Sequence, residues 1–461
     1  MSVYKPCDIR GPIEELTPEL YYRWGCVLGS LLPEGARCVT GGDVRPSTRE
    51  FLPALEKGLC DTGAHVVSTG IQPTPIVYFV KRTLPAHACA IVTASHSPAD
   101  VNGLKWMIGD LPPDEDDVKQ LRQLAETAGW SVRRKGTVET YDPIQQYGDW
   151  LRNNFHLAND ERLLSVILDF GNGCWANCGA RLYTSVFPKF AVKSINSHPD
   201  GIFPSRVPDC SKPEHMKQLA EKVLEYHADL GIAFDGDGDR VGFVDETGTP
   251  LVAEEATYIL IQSFGGDFSG GRFVYDLKFS DTIPAAARAA GASPIPERSG
   301  HTFIRSRMIQ EDALFGAEIS GHYFYRELNY GDDGLFTACR LTAYLTRTGI
   351  PFSKLRENAP KPFITPDIRL EVQPDAHAFV ERVKRLFADL PLSFVDGVRV
   401  DFPTGWALAR PSVTENKVTF RFEGTSQENL GKTIAFFTER LKELREPLQP
   451  LLAKHSAPTE P

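Results

Sequence analysis

One pattern constrains this chain more than any other: the same rhythm of segments occurs three times. "RCVTGGDVRPST", a helical stretch at 49–62, "HVVSTGIQPTPI", a second helical stretch and "ACAIVTASHSP" form the first block. "SVILDFGNGCW", a helical stretch, "FAVKSINSHPDG", a helix near 212–227 and "DLGIAFDGDGDR" form the second. "RFVYDLKFSDTI", a helix near 282–290, "SPIPERSGHTFI" and "ALFGAEISGHYF" form the third. Each block reads strand, helix, strand, helix, strand, and ends in a polar, Gly-rich loop. Such alternation predicts α/β layers on a mixed, largely parallel sheet. Ligands of such sheets bind beyond the carboxyl ends of the strands, so the three closing loops are expected to share a site.

The joints follow from composition. "ETYDPIQQYGDWLRNNF" reads as a helix crossing from the first block to the second, and the Pro-punctuated "ENAPKPFITPDIRLEV" separates a fourth unit. That unit reads as strand 366–372, helix 375–389, strands 395–402, 405–410 and 417–423, then helix 426–445, a smaller C-terminal α+β domain with an unstructured tail. The expected domains are 1–150, 151–255, 256–363 and 364–461, consistent with 461 residues being too many for one core. A net charge of −10 argues against nucleic acid or an anionic membrane as main partner. No apolar signal core follows Met1, and the nine scattered cysteines make a poor disulfide framework; Cys174 and Cys178 lack the second pair of a zinc site. A cytoplasmic protein is expected.

The loops carry the chemistry. In "FDGDGDR", Asp235, Asp237 and Asp239 alternate with glycines, so three carboxylates can converge on a hard cation such as Mg²⁺ or Ca²⁺. An EF-hand loop running from Asp235 to Glu246 is the rival reading; Arg240 stands where that loop needs glycine, and a strand precedes it. Ser95 in "TASHSP" is either a turn cap before Pro98 or a nucleophile, and a serine needs activation. Lys105 of "NGLKW" can return a cation to it. A serine near a metal loop, with no G-x-S-x-G elbow, points to phosphoryl rather than acyl transfer. Glu318, Ser320 and His322 alternate, so an extended segment would aim them together at sugar hydroxyls; the plain alternative is an ordinary strand end. Arg410, Ser412 and Thr414 follow a strand and flank a turn, which suits a phosphate dianion, although arginine at a strand end is common.

Together "DIRG" (8–11), "GGDVRPST" (41–48), "TASHSP" (93–98), "NGLK" (102–105), "DGDGDR" (235–240), "RSGHTFIR" (298–305), "AEISGH" (317–322) and "RPSVTE" (410–415) resemble the α-D-phosphohexomutase family. The resemblance implies four domains around a central cleft, three of them alike. It implies that Ser95 carries a phosphoryl group, that Asp235, Asp237 and Asp239 hold Mg²⁺ together with an oxygen of that phosphoserine, and that Arg240 stabilises the transferring group. His96, Lys105, Lys278 and His301 would be the nearby cationic or proton-shuttling groups, with the general base left open among His96, Lys105 and His301. Glu318 and Ser320 would grip the sugar, Arg10 would face the cleft, and Arg410, Ser412 and Thr414, with Arg421, would bind the phosphate that is not reacting.

The implied activity is interconversion of hexose 1- and 6-phosphates, of mannose and glucose first, through a 1,6-bisphosphate that turns around in the site. Glucose or mannose 1,6-bisphosphate would be the activator. A monomer or weak homo-oligomer is expected, with the C-terminal domain opening and closing about "ENAPKPF". A phosphoglucosamine mutase and a catalytically weak phosphosugar-binding regulator are the alternatives. Departures from the family pattern are Cys7 for tyrosine, Ser97 and Val413 for asparagine, Ser299 for threonine, Arg305 for lysine and Asn416 for proline.

Overall fold

The computed structural model describes residues 2–131, 135–155, 162–412 and 416–456. Short, almost wholly apolar runs such as Ala88–Val92 and Leu230–Phe234 are buried along their whole length. That is the signature of strands covered on both faces. They build three sheets of one design. In the first domain Arg37–Gly42 is flanked in parallel by His65–Ile71 and Ala88–Val92, and Ala88–Val92 pairs antiparallel with Val101–Ile108. In the second, Ser165–Asp169 is flanked by Ala191–Ile195 and Leu230–Phe234, and the return strand is Val241–Asp245. In the third, Arg272–Asp276 is flanked by Ser293–Glu297 and Phe315–Ala317, and the return strand is Tyr323–Tyr325. The sheets are therefore mixed, and each closing loop of the sequence joins the last parallel strand to an antiparallel return strand.

The C-terminal sheet is antiparallel throughout. Phe363–Ile364 and Ile368–Glu371 both pair with Lys417–Gly424, followed by Gly405–Pro411, Val398–Phe402 and Leu392–Ser393. The strand expected at 395–402 starts only at Val398, because a turn with Gly397 at φ 69° precedes it. The start of the expected loose tail is a helix, Arg445–Ser456, whose Leu448 is fully buried in the C-terminal core. No helix among the described residues is long and apolar enough to cross a membrane.

Side-chain caps set several helix starts: Thr17, Asp114, Asp333, Asp375 and Ser426 each accept a backbone N–H from the first turn. The apolar core divides unevenly. One continuous cluster links Val39 and Phe79 of the first domain to Leu168 and Phe234 of the second and Phe273 and Phe315 of the third. The C-terminal domain keeps a separate core around Phe379, Phe420 and Phe437. It meets the rest through a small contact of Leu277 with Trp406 and Leu408, and through ion pairs.

The crossing helix Ile144–Asn154 bears one buried strut, Tyr147 Oη donating to Asp333 Oδ2 at 2.7 Å. Burial pushes the Asp333 carboxyl up to about 6 from its ordinary 3.8, although the Phe336 N–H and Tyr147 both stabilise its anion. The folded state thus holds this proton more tightly than the unfolded chain does. Its stabilising contribution is full below pH 4 and is lost as pH rises through 6. Asp333→Asn, uncharged like the protonated acid, with its Oδ1 accepting from Phe336 N–H and its Nδ2 donating to Tyr147 Oη, is expected to match wild type at pH 4 and exceed it at pH 8, by up to about 3 kcal/mol from the linkage relation. Calorimetric unfolding at the two pH values checks this; equal stability at both rules it out.

Candidate active site

The serine loop is held from beneath by a buried ion pair. Arg45, with no exposed surface, pairs with Asp43 and donates to the backbone carbonyls of Ser95, at 3.1 Å, and Ser97. Asp43 also accepts from Thr48 Oγ1 at 3.0 Å and Thr93 Oγ1 at 2.8 Å. So clamped, Ser95 takes φ 53°, a left-handed conformation that a serine adopts only where its surroundings impose it. Its Oγ donates to Asp235 Oδ2 at 3.2 Å and lies 3.3 Å from His96 Nδ1. The first two loops meet, as the sequence led us to expect.

The two glycines of the aspartate loop act differently. Gly238 has φ 82°, and an added Cβ would lie 2.3 Å from the Trp175 indole nitrogen. Gly236 permits contact between domains: a Cβ there would lie 2.7 Å from the Ser95 carbonyl oxygen. Between them the loop brings ligand atoms of Asp235, Asp237 and Asp239 within 4.8 Å of one another, all buried. Lys105 Nζ donates to Asp237 at 2.9 Å and Asp239 at 2.6 Å, and Thr74, at the start of helix Thr74–Thr83, donates to Asp237 at 2.8 Å.

Burial pushes the Asp235 carboxyl well above its usual range, and repulsion from Asp239 and Asp237 adds to this. Burial acts the same way on Asp239, but Lys105 and His322 outweigh it and hold that carboxyl low. Burial alone would lower the Lys105 ammonium; Asp237 and Asp239 reverse this and hold it well above its usual value. Asp237 Oδ1 and Asp239 Oδ1 are buried without a hydrogen-bond partner among the described residues. An all-oxygen donor set with orphaned acceptors and a self-repelling carboxylate fits a hard divalent cation.

The EF-hand reading fails. Asp235 follows the strand Leu230–Phe234, and Glu246 is turned away to accept from Ser353 N and Oγ at 2.9 and 2.5 Å.

The third loop is not extended. Gly321 N–H donates to Glu318 O and Glu318 N–H to His322 O, both at 3.0 Å, making a tight turn with Gly321 at φ 89°. Alternation therefore does not set where the three side chains point. Glu318 Oε2 and Ser320 Oγ are buried without a protein partner among the described residues, open to a ligand. His322 is committed elsewhere. Arg240 Nε donates to its Nε2 at 2.9 Å, so the ring hydrogen sits on Nδ1 and donates to Asp332 Oδ2 at 2.6 Å. It positions Arg240.

Arg10, Cys7, Arg240, His301, Glu318 and His322 face a cavity of about 230 Å³. Burial, then the cation Arg240 for His96 and the cation Lys105 for His301, drive both imidazoles well below 6.5, so both are neutral near pH 7. Cys7 is the half-exposed cysteine among eight buried ones, and burial still pushes its thiol up to about 12.

Four expected residues stand apart from this cluster. Lys278 Nζ donates to Asp367 at 3.1 Å and Arg421 Nη2 to Glu254 at 2.9 Å, while Arg410 Nε lies 2.9 Å from Asp396. Ser412 N–H donates to Lys417 O at 2.7 Å, and Thr414 lies outside the described residues. Cross-strand register pairs Arg421 with Leu408, two residues from Arg410, so both arginines share one sheet face. Sequence reasoning gave no role to Asp43, Arg45, Thr74, Thr93 or Asp332. Only the Asp-x-Arg after the first strand signalled part of this set.

The comparisons with known proteins cover the whole assembly. Family models for phosphoglucomutase/phosphomannomutase α/β/α domains I, II and III match residues 3–130, 145–248 and 253–363, and the model for the C-terminal domain matches 368–440. A phosphomannomutase/phosphoglucomutase of Pseudomonas aeruginosa is 32% identical over 96% of both chains. A phosphoglucomutase of Neisseria gonorrhoeae is 30% identical, covering 92% of this chain and 94% of that one. The crystal structure of a phosphoglucomutase/phosphomannomutase family protein from Burkholderia thailandensis superposes with TM-score 0.88 at 30% identity, over 96% of this chain and 97% of that one. With the three-loop convergence these matches settle its kinship: the chain belongs to the phosphoglucomutase/phosphomannomutase family.

Proposed function

We propose that the protein interconverts hexose 1-phosphates and hexose 6-phosphates, of glucose and mannose, through a phosphoryl group carried on Ser95. The observation that carries this reading is the buried junction where Ser95 Oγ meets Asp235 at 3.2 Å, beside Lys105 and the three carboxylates. Pure binding of a phosphosugar does not require a strained, clamped serine beside a cation site.

In the forward half-reaction a sugar hydroxyl attacks the phosphorus on Ser95. The bond from phosphorus to Oγ breaks as the bond to the sugar oxygen forms, and the hydroxyl proton leaves to a base. Lys105 is held as an ammonium by two carboxylates and His322 is engaged at both nitrogens. The His301 side chain faces the cavity, neutral, with no hydrogen bond among the described residues, so we assign it the proton. Arg240, oriented by His322, offers its guanidinium to the equatorial oxygens. Glu318 and Ser320 hold ring hydroxyls, with Arg10 at the cavity wall.

Asp235, Asp237 and Asp239, with an oxygen of the phosphorylated serine, are the residues that would hold Mg²⁺, which when bound supplies neutralisation of phosphoryl charge. The second half-reaction returns phosphoryl to Ser95 from the other end of the sugar, which requires the bisphosphate to turn over. Arg410, Ser412, Thr414 and Arg421 are assigned to the distal phosphate at either stage, and Lys278, expected instead beside the reacting group, joins them because it shares Asp367 with Arg421. Glucose or mannose 1,6-bisphosphate loads a bare Ser95 by the reverse of the first step.

In a coupled mutase assay primed with trace glucose 1,6-bisphosphate, Ser95→Ala is expected to lose at least about three orders of magnitude in kcat; equal rates in both proteins would refute the assignment. Incubation with EDTA is expected to abolish turnover, with recovery on adding Mg²⁺; turnover that survives exhaustive chelation rejects the metal role. Gly236→Ala, which drives the serine and aspartate loops apart, is expected to lower kcat about 100-fold with KM nearly unchanged. Wild-type kcat in that variant means the two loops need not touch.

A further inference from the structure

The distal-phosphate residues already face anions of the protein's own. Lys278 of the third domain and Arg421 of the C-terminal domain converge on one carboxylate, Asp367, at 3.1 and 3.7 Å. Asp367 Oδ1 is buried yet has no hydrogen-bond partner among the described residues. Arg421 is further paired with Glu254 and Arg410 with Asp396, each at 2.9 Å. Three cations thus face three carboxylates, and their charges cancel. A phosphate dianion entering a neutral cluster of that kind meets as much repulsion as attraction. For the site to work, one carboxylate has to leave.

Their settings differ. The Glu254 and Asp396 side chains are 8% and 13% exposed, one on the helix Ala253–Ser263 and one behind Arg410. Asp367 is 27% exposed and lies on the connector, between Phe363–Ile364 and Ile368–Glu371. Both of those short strands pair with the strand that carries Arg421.

We propose that Asp367 is a resident stand-in for the distal phosphate: it bridges Lys278 and Arg421 while the cleft is empty and is displaced when a phosphosugar arrives. The proposal rests on the reading of Lys278, Arg410 and Arg421 as distal-phosphate residues. It adds a residue that works against binding, and whose departure moves the chain linking the third and fourth domains. Arrival of phosphate is thereby coupled to rearrangement of the C-terminal domain. Burial pushes the Asp367 carboxyl up, but Lys278, Arg421 and Arg410 outweigh it and hold it below the usual range, in keeping with an anion facing all three.

The test measures Kd for glucose 1-phosphate by calorimetry in a Ser95→Ala background, so that no turnover intervenes. Asp367→Asn, nearly isosteric but uncharged, is expected to bind about three- to tenfold more tightly, with Asp367→Glu close to the parent. A purely structural ion pair predicts the opposite direction, weaker binding on losing the charge. Unchanged or weaker binding in Asp367→Asn, while Arg410→Ala binds more weakly than the parent, overturns the stand-in and leaves the distal-phosphate reading intact. Unchanged binding in Arg410→Ala overturns both. Should Asp367→Asn fail to fold, Asp367→Ser is measured against the same expectation.

Discussion

Burying three carboxylates within one loop is the constraint that organises this molecule. Asp235, Asp237 and Asp239 all lie out of contact with solvent. Without compensation such a cluster would cost several kcal/mol per charge. Relief comes from the neighbouring domain: the Lys105 ammonium bridges two of the acids, Thr74 donates to Asp237, and Ser95 donates to Asp235. These charged contacts therefore join the first and second domains beside their shared apolar core, and the serine reaches the site through the same contacts. The third domain adds His322, 3.7 Å from Asp239, which also fixes Arg240. Structure and chemistry use the same atoms.

The threefold repeat explains why such a junction can exist. Each of the three sheets turns back on itself after its last parallel strand, and the loop at that turn projects beyond the strand ends. Three copies packed around one continuous apolar cluster present those loops to a common point. The fourth domain follows a different plan, with an antiparallel sheet and its own core. Its attachment is largely ionic, and such contacts yield more readily than a shared core.

Much of this was legible in the amino acids. The continuous apolar strands, the alternating Asp-Gly loop and the Ser-His pair each carry a local signal, and the structure brings Ser95 and the aspartates together. What escaped was non-local. The alternation of Glu318, Ser320 and His322 looks extended, but Gly321 at positive φ converts it into a turn, and what His322 does is decided by Arg240, 82 residues away. Asp43 and Arg45 stand in a stretch with no periodicity, and their value lies in supporting carbonyls 50 and 52 residues distant. The carboxylates opposite Lys278, Arg410 and Arg421 come from separate segments that no spacing rule connects.

The bridge from Lys105 to Asp237 spans 132 positions, and this has a consequence for biosynthesis. A ribosome adding about 5–20 residues per second delivers the lysine on the order of ten seconds before the acid that neutralises it. During that interval the ammonium has to remain hydrated, so the nascent domain cannot close over Lys105 on the strand Val101–Ile108. The amino-terminal portion of the polypeptide thus waits, incomplete, for a segment still being translated.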